Sequence, residues 1–397
     1  MHILMITDVY FPRINGVSTS IKTYRAALQE MGHQVTVIAP DYGKTTNDEA
    51  GIIRIPSRGL LLDKEDRMMK AHHIYRLVKQ LKGMDIDIIH IQTPFVAHYA
   101  GLKLAHILGV PKVESYHTFF EEYLYHYIPF LPKRLMKSVA RGFSKSQCNS
   151  VNAIVVPSTA MLEALRGYGV ASTAEIIPTG LDLRRFKGGD GAAFRKKYGI
   201  EKERPVLLNV GRVAHEKNID FLLHVVDEVA QTIPDILLLI VGEGPAEKQL
   251  HARVKELGLQ ANVRFIGYLD RDTELKDCYC AGDIFVFASR TETQGLVLLE
   301  AMALGVPVIS TAVMGTRDII KPQRGAIHAH ENVFDFSRKI VATIKNKDRL
   351  NSLSAHGRLF ARGWSQQLFI QKMLNFYCNV IDEQATQYTA DVVRENG

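Results

Sequence analysis

Glu292 and Glu300 stand eight positions apart in the segment 289–309, SRTETQGLVLLEAMALGVPVI. The apolar run Asp283–Ala288 leads into it as a strand, and a polar loop carries Glu292 and Gly295. A helix then follows with Leu296, Leu299 and Ala303 on one face. The first acid therefore precedes the helix and the second lies one turn inside it. Between them the opening N–H groups of the helix, from Gly295, Leu296 and Val297, point outward without intrahelical acceptors and form an anion site. Two carboxylates flanking an anion site suit a ligand that is phosphate in the middle and hydroxyl-rich at both ends. A sugar nucleotide has that shape.

Further cations converge on such a ligand. The strand Val206–Val210 delivers Arg212 at its carboxyl end, where open α/β sheets bind ligands, and Lys217 follows closely. Asn218 is placed to cap the helix beginning at Ile219. Gly16, in the loop after the first strand, lets the backbone approach a phosphate closely. No G-x-G-x-x-G stands in that loop, which weighs against a dinucleotide oxidoreductase. Asp85 and Asp87 have the spacing of a metal-binding D-x-D, but they open the apolar strand Ile86–Ile91 and read as edge residues.

Short β-branched runs alternate with helical periodicity along the whole chain, the pattern of βαβ units and parallel sheets. The first series comprises Ile3–Ile6, Val35–Ile38, Ile86–Ile91, Lys112–Ser115 and Ala153–Val156. The second comprises Val206–Val210, Ile236–Val241, Val263–Phe265, Ile284–Phe287 and Val306–Ile309. The glycine-rich stretch 184–191 between them reads as a link. A length of 397 residues suits two to three domains, and the two series divide the chain into 1–183 and 184–364, with a closing helix over about 365–390. The last dozen residues are polar and read as frayed.

Hydrophobic content of 46% and charged content of 23% describe an ordinary globular protein. No apolar run approaches the ~20 residues of a membrane span. The first strand follows Met1 without a basic n-region, and four scattered cysteines read as free thiols, so a cytoplasmic location is expected. The net charge of +7 is uneven. Between Tyr123 and Leu162 there is no acid, while Arg134, Lys137, Arg141 and Lys145 recur three or four apart on one helical face. The aromatic stretch before them holds Tyr123, Tyr127 and Phe130. Bulky apolar groups beside a one-sided basic helix suit an anionic lipid surface, the inner face of a plasma membrane for example. A core-facing aromatic cluster with a solvated helix is the other reading.

The pattern S-x-x-E-x-x-G-L-x-x-x-E-A-M-A-x-G-x-P-V-I, together with G-R-x-x-x-E-K at 211–217, resembles the signature of glycosyltransferase family 4. That resemblance implies the GT-B fold, two Rossmann-like doubly wound parallel-sheet domains with the active site in the interdomain cleft and the closing helix returned to the first domain. It implies a retaining enzyme that needs no metal and no cofactor. By position, Glu292 and His117 would hold the donor hexose, Arg212, Lys217 and Gly16 the diphosphate, and Glu300 the ribose. The histidine-tyrosine pattern from His117 to Tyr127 also resembles bacterial diacylglycerol glucosyltransferases. The expected partners are thus a nucleotide-diphosphate sugar, with UDP-glucose favoured and UDP-N-acetylglucosamine or GDP-mannose open, and a lipid or glycan acceptor. Two rival readings are a sugar-nucleotide epimerase of the same fold and a basic nucleic-acid-binding module. The epimerase leaves the acceptor side unused and the nucleic-acid module leaves the glutamate pair idle, so no nucleic acid partner is expected.

Overall fold

The computed structural model describes residues 1–43, 49–59, 67–117, 133–271, 273–321 and 324–395. It contains two compact units, Met1–Thr179 with Phe369–Gly397, and Gly180–Leu368.

In the first unit the strands are β1 (His2–Ile6), β2 (Gln34–Pro40), β3 (Ile52–Ile55), β6 (Ile88–Ile91), β7 (Lys112–Ser115), β8 (Ala153–Val156) and β9 (Thr173–Ile176). They form one sheet in the order β3-β2-β1-β6-β7-β8-β9, with every neighbour parallel. Two short strands, β4 (Ser57–Gly59) and β5 (Arg67–Met69), pair antiparallel. β1, β6 and β8 are buried along their whole length, as strands covered by helices on both faces must be. The helix Gly16–Glu30 crosses from β1 to β2. It starts with a capping box, in which Asn15 Oδ1 accepts the Ser18 N–H and Ser18 Oγ accepts the Asn15 N–H, both at 2.9 Å.

The closing helix, Gln366–Glu395, seats Ile370, Met373, Tyr377 and Val380 in the same core as Ile3, Met5 and Val37. Its Tyr377 hydroxyl pairs with His90 Nδ1 at 2.6 Å, while His90 Nε2 meets Ser115 Oγ at 2.8 Å. Burial holds the His90 imidazole far below its ordinary value, at about 3, so it is a neutral linker there. The backbone of this helix runs on to Glu395, through the stretch read from sequence as frayed.

The second unit carries β10 (Val206–Val210), β11 (Leu237–Val241), β12 (Val263–Gly267), β13 (Ile284–Phe287), β14 (Val308–Ser310) and β15 (Ala326–His328). Their order is β12-β11-β10-β13-β14-β15, again parallel throughout. Strand alternation sorts the side chains onto two faces. Leu207, Leu238 and Val286 pack with Val226 and Phe336 on one face. Leu208, Leu239 and Phe285 pack with Tyr279 and Leu299 on the other. Each such side chain, fully buried, contributes roughly 1.5–3 kcal/mol.

The stretch 184–191 is part of this unit and is not a link, the division falling between Thr179 and Gly180. The Asp190 N–H donates to Asp277 Oδ1 at 2.7 Å, and Asp190 Oδ1 caps the helix Gly191–Lys197 through the Ala193 N–H. Gly191 is glycine because a Cβ there would collide with the Cys280 carbonyl. Close packing against Lys276 and Cys280 explains Gly189 and Gly191, while Gly188 has open space and a left-handed φ of 70°.

Candidate functional site

The carboxyl edge of the second sheet collects several of the expected residues. After β10 the chain passes Arg212, which is exposed and has no carboxylate partner among the described residues. It then makes a single tight turn, His215–Lys217. Lys217 Nζ lies 2.8 Å from Glu292 Oε2, with each side chain about one-fifth exposed, at 21% and 19%. Neither Glu216 nor Asp220 takes these cations, since Asp220 pairs with Arg253.

Glu292 is fixed on two further sides. Its Oε1 accepts the Gly295 N–H at 3.2 Å, and its backbone carbonyl accepts the Gly315 N–H at 2.8 Å. The helix Leu296–Ala303 begins directly after Gly295, whose φ of 89° is a left-handed conformation suited to glycine. The Gly295 amide, expected from sequence to face an anion, here donates to Glu292. The N–H groups of Leu296 and Val297 stand at the helix start, where no intrahelical acceptor exists.

Asn218 also departs from expectation. It precedes the helix Ile219–Ala230 but makes no side-chain cap, because the tight turn leaves it left-handed at φ 56°. Its amide donates instead to Glu331 Oε1 at 3.2 Å, a carboxylate that also holds Arg290.

Glu300 is 2% exposed. Arg271 Nη2 bonds Oε1, and the Tyr279 hydroxyl donates to Oε2 at 2.8 Å. Sequence reasoning missed both partners. The signal available was an acid inside an apolar helix, which had to find a donor somewhere.

In the first unit, Gly16 opens its helix with nothing within 4 Å of where a Cβ would stand. His117 follows β7, and its Nε2 lies 3.1 Å from Gln92 Oε1. With the amide oxygen as acceptor, Nε2 carries the proton and Nδ1 is left as an acceptor. Burial lowers the His117 pKa to about 4, so the ring is neutral near pH 7. A small cavity of about 10 Å³ beside it is lined by Tyr24, Ser115 and Thr179. Asp87 receives the His2 N–H at 2.7 Å and is bound into the sheet edge, as its place before β6 implied. Tyr123, Tyr127 and Phe130 lie outside the described residues. Arg134, Lys137, Arg141 and Lys145 are exposed on the helix Lys133–Cys148, whose Met136, Ala140 and Ser144 face inward.

Asp8, at the carboxyl end of β1, was not foreseen. It is buried, accepts the Thr93 hydroxyl at 2.8 Å and the Ala97 N–H at 3.2 Å, and so caps the helix Val96–Leu108 from a distance. Burial outweighs these bonds and raises its pKa from 3.8 to about 6. The folded protein then holds the proton more tightly than the unfolded chain. The stability this lends is complete below about pH 3.8 and is lost as pH rises through about 6, a change of about 3 kcal/mol. Asp8→Asn cannot titrate, so its stability relative to the parent should rise by about 2.4 kcal/mol between about pH 4 and pH 7. Urea denaturation across that range measures the gap, and a flat difference would contradict the assignment.

The sequence matches the family described as glycosyl transferases group 1 over residues 190–360 and Glycosyltransferase Family 4 over residues 14–185. It is 30% identical over 391 residues to the alpha-monoglucosyldiacylglycerol synthase of Streptococcus pneumoniae, covering 96% of this chain and 86% of that protein. It is 26% identical to a GDP-mannose-dependent alpha-mannosyltransferase of Mycobacterium tuberculosis, covering 98% of this chain and 99% of that one. Among solved structures, sucrose-phosphate synthase of Thermosynechococcus elongatus superposes with a TM-score of 0.77 at 21% identity, over 96% of this chain and 99% of that one, which establishes the GT-B fold. With its two parallel-sheet units and the paired Lys217 and Glu292 at a helix start, the chain belongs to the family 4 glycosyltransferases and is a hexosyltransferase.

Proposed function

We propose that this enzyme moves a hexose, glucose first, from a nucleotide-diphosphate sugar to a hydroxyl of a membrane lipid or a lipid-linked or cell-envelope glycan. The transfer retains the anomeric configuration and needs no metal ion. The observation that carries this reading is the 2.8 Å contact of Lys217 with Glu292 at the start of the helix Leu296–Ala303, on the sheet edge where β10 also delivers Arg212, exposed and without a carboxylate partner among the described residues. Lys217 and Glu292 neutralise each other, so the positive charge offered to a ligand is that of Arg212 and the helix amides. A diphosphate meets that charge, while Glu292 is left turned to sugar hydroxyls and Glu300 to ribose hydroxyls. Within the first unit, Gly16 has open space above its Cα, and neutral His117 presents Nδ1 as a hydrogen-bond acceptor.

As the bond from the anomeric carbon to the phosphate oxygen breaks, the leaving nucleoside diphosphate gains negative charge. Arg212, Lys217 and the Leu296 and Val297 amides stabilise it, and one such donor is worth roughly 2.7–4 kcal/mol in other enzymes. The departing phosphate oxygen takes the proton of the acceptor hydroxyl, whose oxygen bonds to the same face of the anomeric carbon. Protein cations do the work a metal would otherwise do, so transfer is expected to persist in excess EDTA. Support for a lipid acceptor comes from the pneumococcal relative and from the exposed basic helix Lys133–Cys148. That helix would bring the enzyme to the inner face of the plasma membrane as a peripheral protein.

A thermal-shift series with UDP-glucose, UDP-N-acetylglucosamine and GDP-mannose tests the donor. A ligand that binds only the folded state adds about 2.7 kcal/mol at a hundredfold excess over its dissociation constant. One of these sugars should raise the melting temperature well above the others, and the same sugar with diacylglycerol vesicles should yield an α-linked glycolipid. No shift with any activated sugar overturns the donor assignment, and a β-linked product overturns retention.

A further inference from the structure

Glu300 is the most deeply buried acid of the candidate site, at 2% exposure, and its two oxygens are held by two different elements. The Tyr279 hydroxyl comes from the helix Glu274–Ala281 and takes Oε2 at 2.8 Å. Burial and the neighbouring carboxylate push the Tyr279 phenol well above its ordinary value, so it remains a donor. Arg271 comes from the turn before that helix and takes Oε1. Asp270 pins the turn, its Oδ1 accepting the Thr273 N–H at 3.0 Å and the Thr273 hydroxyl at 2.8 Å. The Arg271 side chain is 43% exposed, so solvent, and any ligand, meets this pair from the arginine side.

A carboxylate oxygen accepts about two hydrogen bonds. Each oxygen of Glu300 therefore keeps an acceptor position after Arg271 and Tyr279 are satisfied. A vicinal diol can take both positions together only if the carboxylate plane is held still. We propose that Arg271, with Tyr279, is a positioning residue for the nucleotide ribose, clamping Glu300 so that its two remaining acceptor positions receive the 2′ and 3′ hydroxyls. The proposal rests on the donor-site reading above and adds to it a residue that touches the acid. Arg271 lies 29 positions before Glu300, outside the paired-glutamate motif.

Calorimetric titration of the full chain with UDP and GDP, and with their 2′,3′-dideoxy counterparts, tests it. The parent protein should bind its preferred nucleotide at least about tenfold more tightly than the dideoxy form, the scale of hydrogen bonds to a charged group. Arg271→Met and Tyr279→Phe should each erase most of that preference, weakening the normal nucleotide about tenfold while leaving the dideoxy form within about twofold. Arg271→Lys, which keeps the charge, should recover part of the preference. A merely structural arginine would weaken both nucleotides alike and would not be rescued by lysine. Equal losses for the two forms, or a ribose preference unchanged in Arg271→Met, overturn the clamp while leaving the donor site standing. Failure of the parent protein to bind either nucleotide overturns the donor reading and this proposal with it.

Discussion

Alanine at Lys217 or at Glu292 is expected to cut the kcat/KM for sugar transfer by roughly a hundredfold or more, the scale on which other enzymes lose rate when one oxyanion donor is removed. Two separate losses meet at this pair. Lys217→Ala removes a cation from the place where the leaving diphosphate gains charge. It also strips the partner at 2.8 Å from Glu292, leaving an uncompensated carboxylate facing an anionic donor. Glu292→Ala removes a sugar contact but frees Lys217, so its effect on nucleotide binding should be the smaller of the two. Because the side chains touch, the double replacement should cost clearly less than the product of the single losses. Steady-state kinetics on the three variants, with nucleotide affinity measured alongside, separates these cases. Near-normal turnover in either single variant, or strict multiplicativity in the double, would sink the assignment.

The parts of this molecule legible in sequence are those whose information is local. Val206–Val210, Ala153–Val156 and Ile284–Phe287 are strands buried on both faces, and continuous apolar runs announce them. β3, β9 and β15 escaped notice; all three lie at sheet edges, where burial is partial, although the edge strand β12 was legible from its apolar residues. Thr173–Ile176 is only half-buried and Ala326–His328 ends in an exposed histidine, so neither shows a run or a clean alternation. The same division holds in the site. The spacing of Glu292 from Glu300 is local and places one acid before the helix and one within it. The contacts that decide what those acids can do are not local, since Lys217 reaches Glu292 across 75 positions and Arg271 reaches Glu300 across 29. Asn218 shows local rules losing to tertiary context. Its type and place suit a helix cap, but a tight turn makes it left-handed and Glu331 claims its amide.

Replacing Arg134, Lys137, Arg141 and Lys145 together with alanine should nearly abolish partition onto anionic vesicles. All four are exposed along one side of the helix Lys133–Cys148, while Met136 and Ala140 anchor the opposite side at 4% and 1% exposure. Leu135 and Val139, one helical turn apart, are also exposed, at 52% and 56%, on a separate face of the same helix. Cations that meet an anionic interface contribute about 1 kcal/mol each, so four of them approach about 4 kcal/mol, or nearly a thousandfold in partition. That is an upper bound here, because Arg141 already lies over the Tyr168 ring, 5.4 Å from its centre. Leu135→Ser with Val139→Ser removes apolar contact and should weaken binding less, by an amount that salt does not change. The cationic part, by contrast, should fade as ionic strength rises and the screening length shortens. Vesicle sedimentation over a salt series separates the two contributions. Equal partition onto neutral vesicles, or an unaltered salt response in the fourfold variant, would mean that this helix faces only solvent and that the enzyme meets its acceptor by another surface.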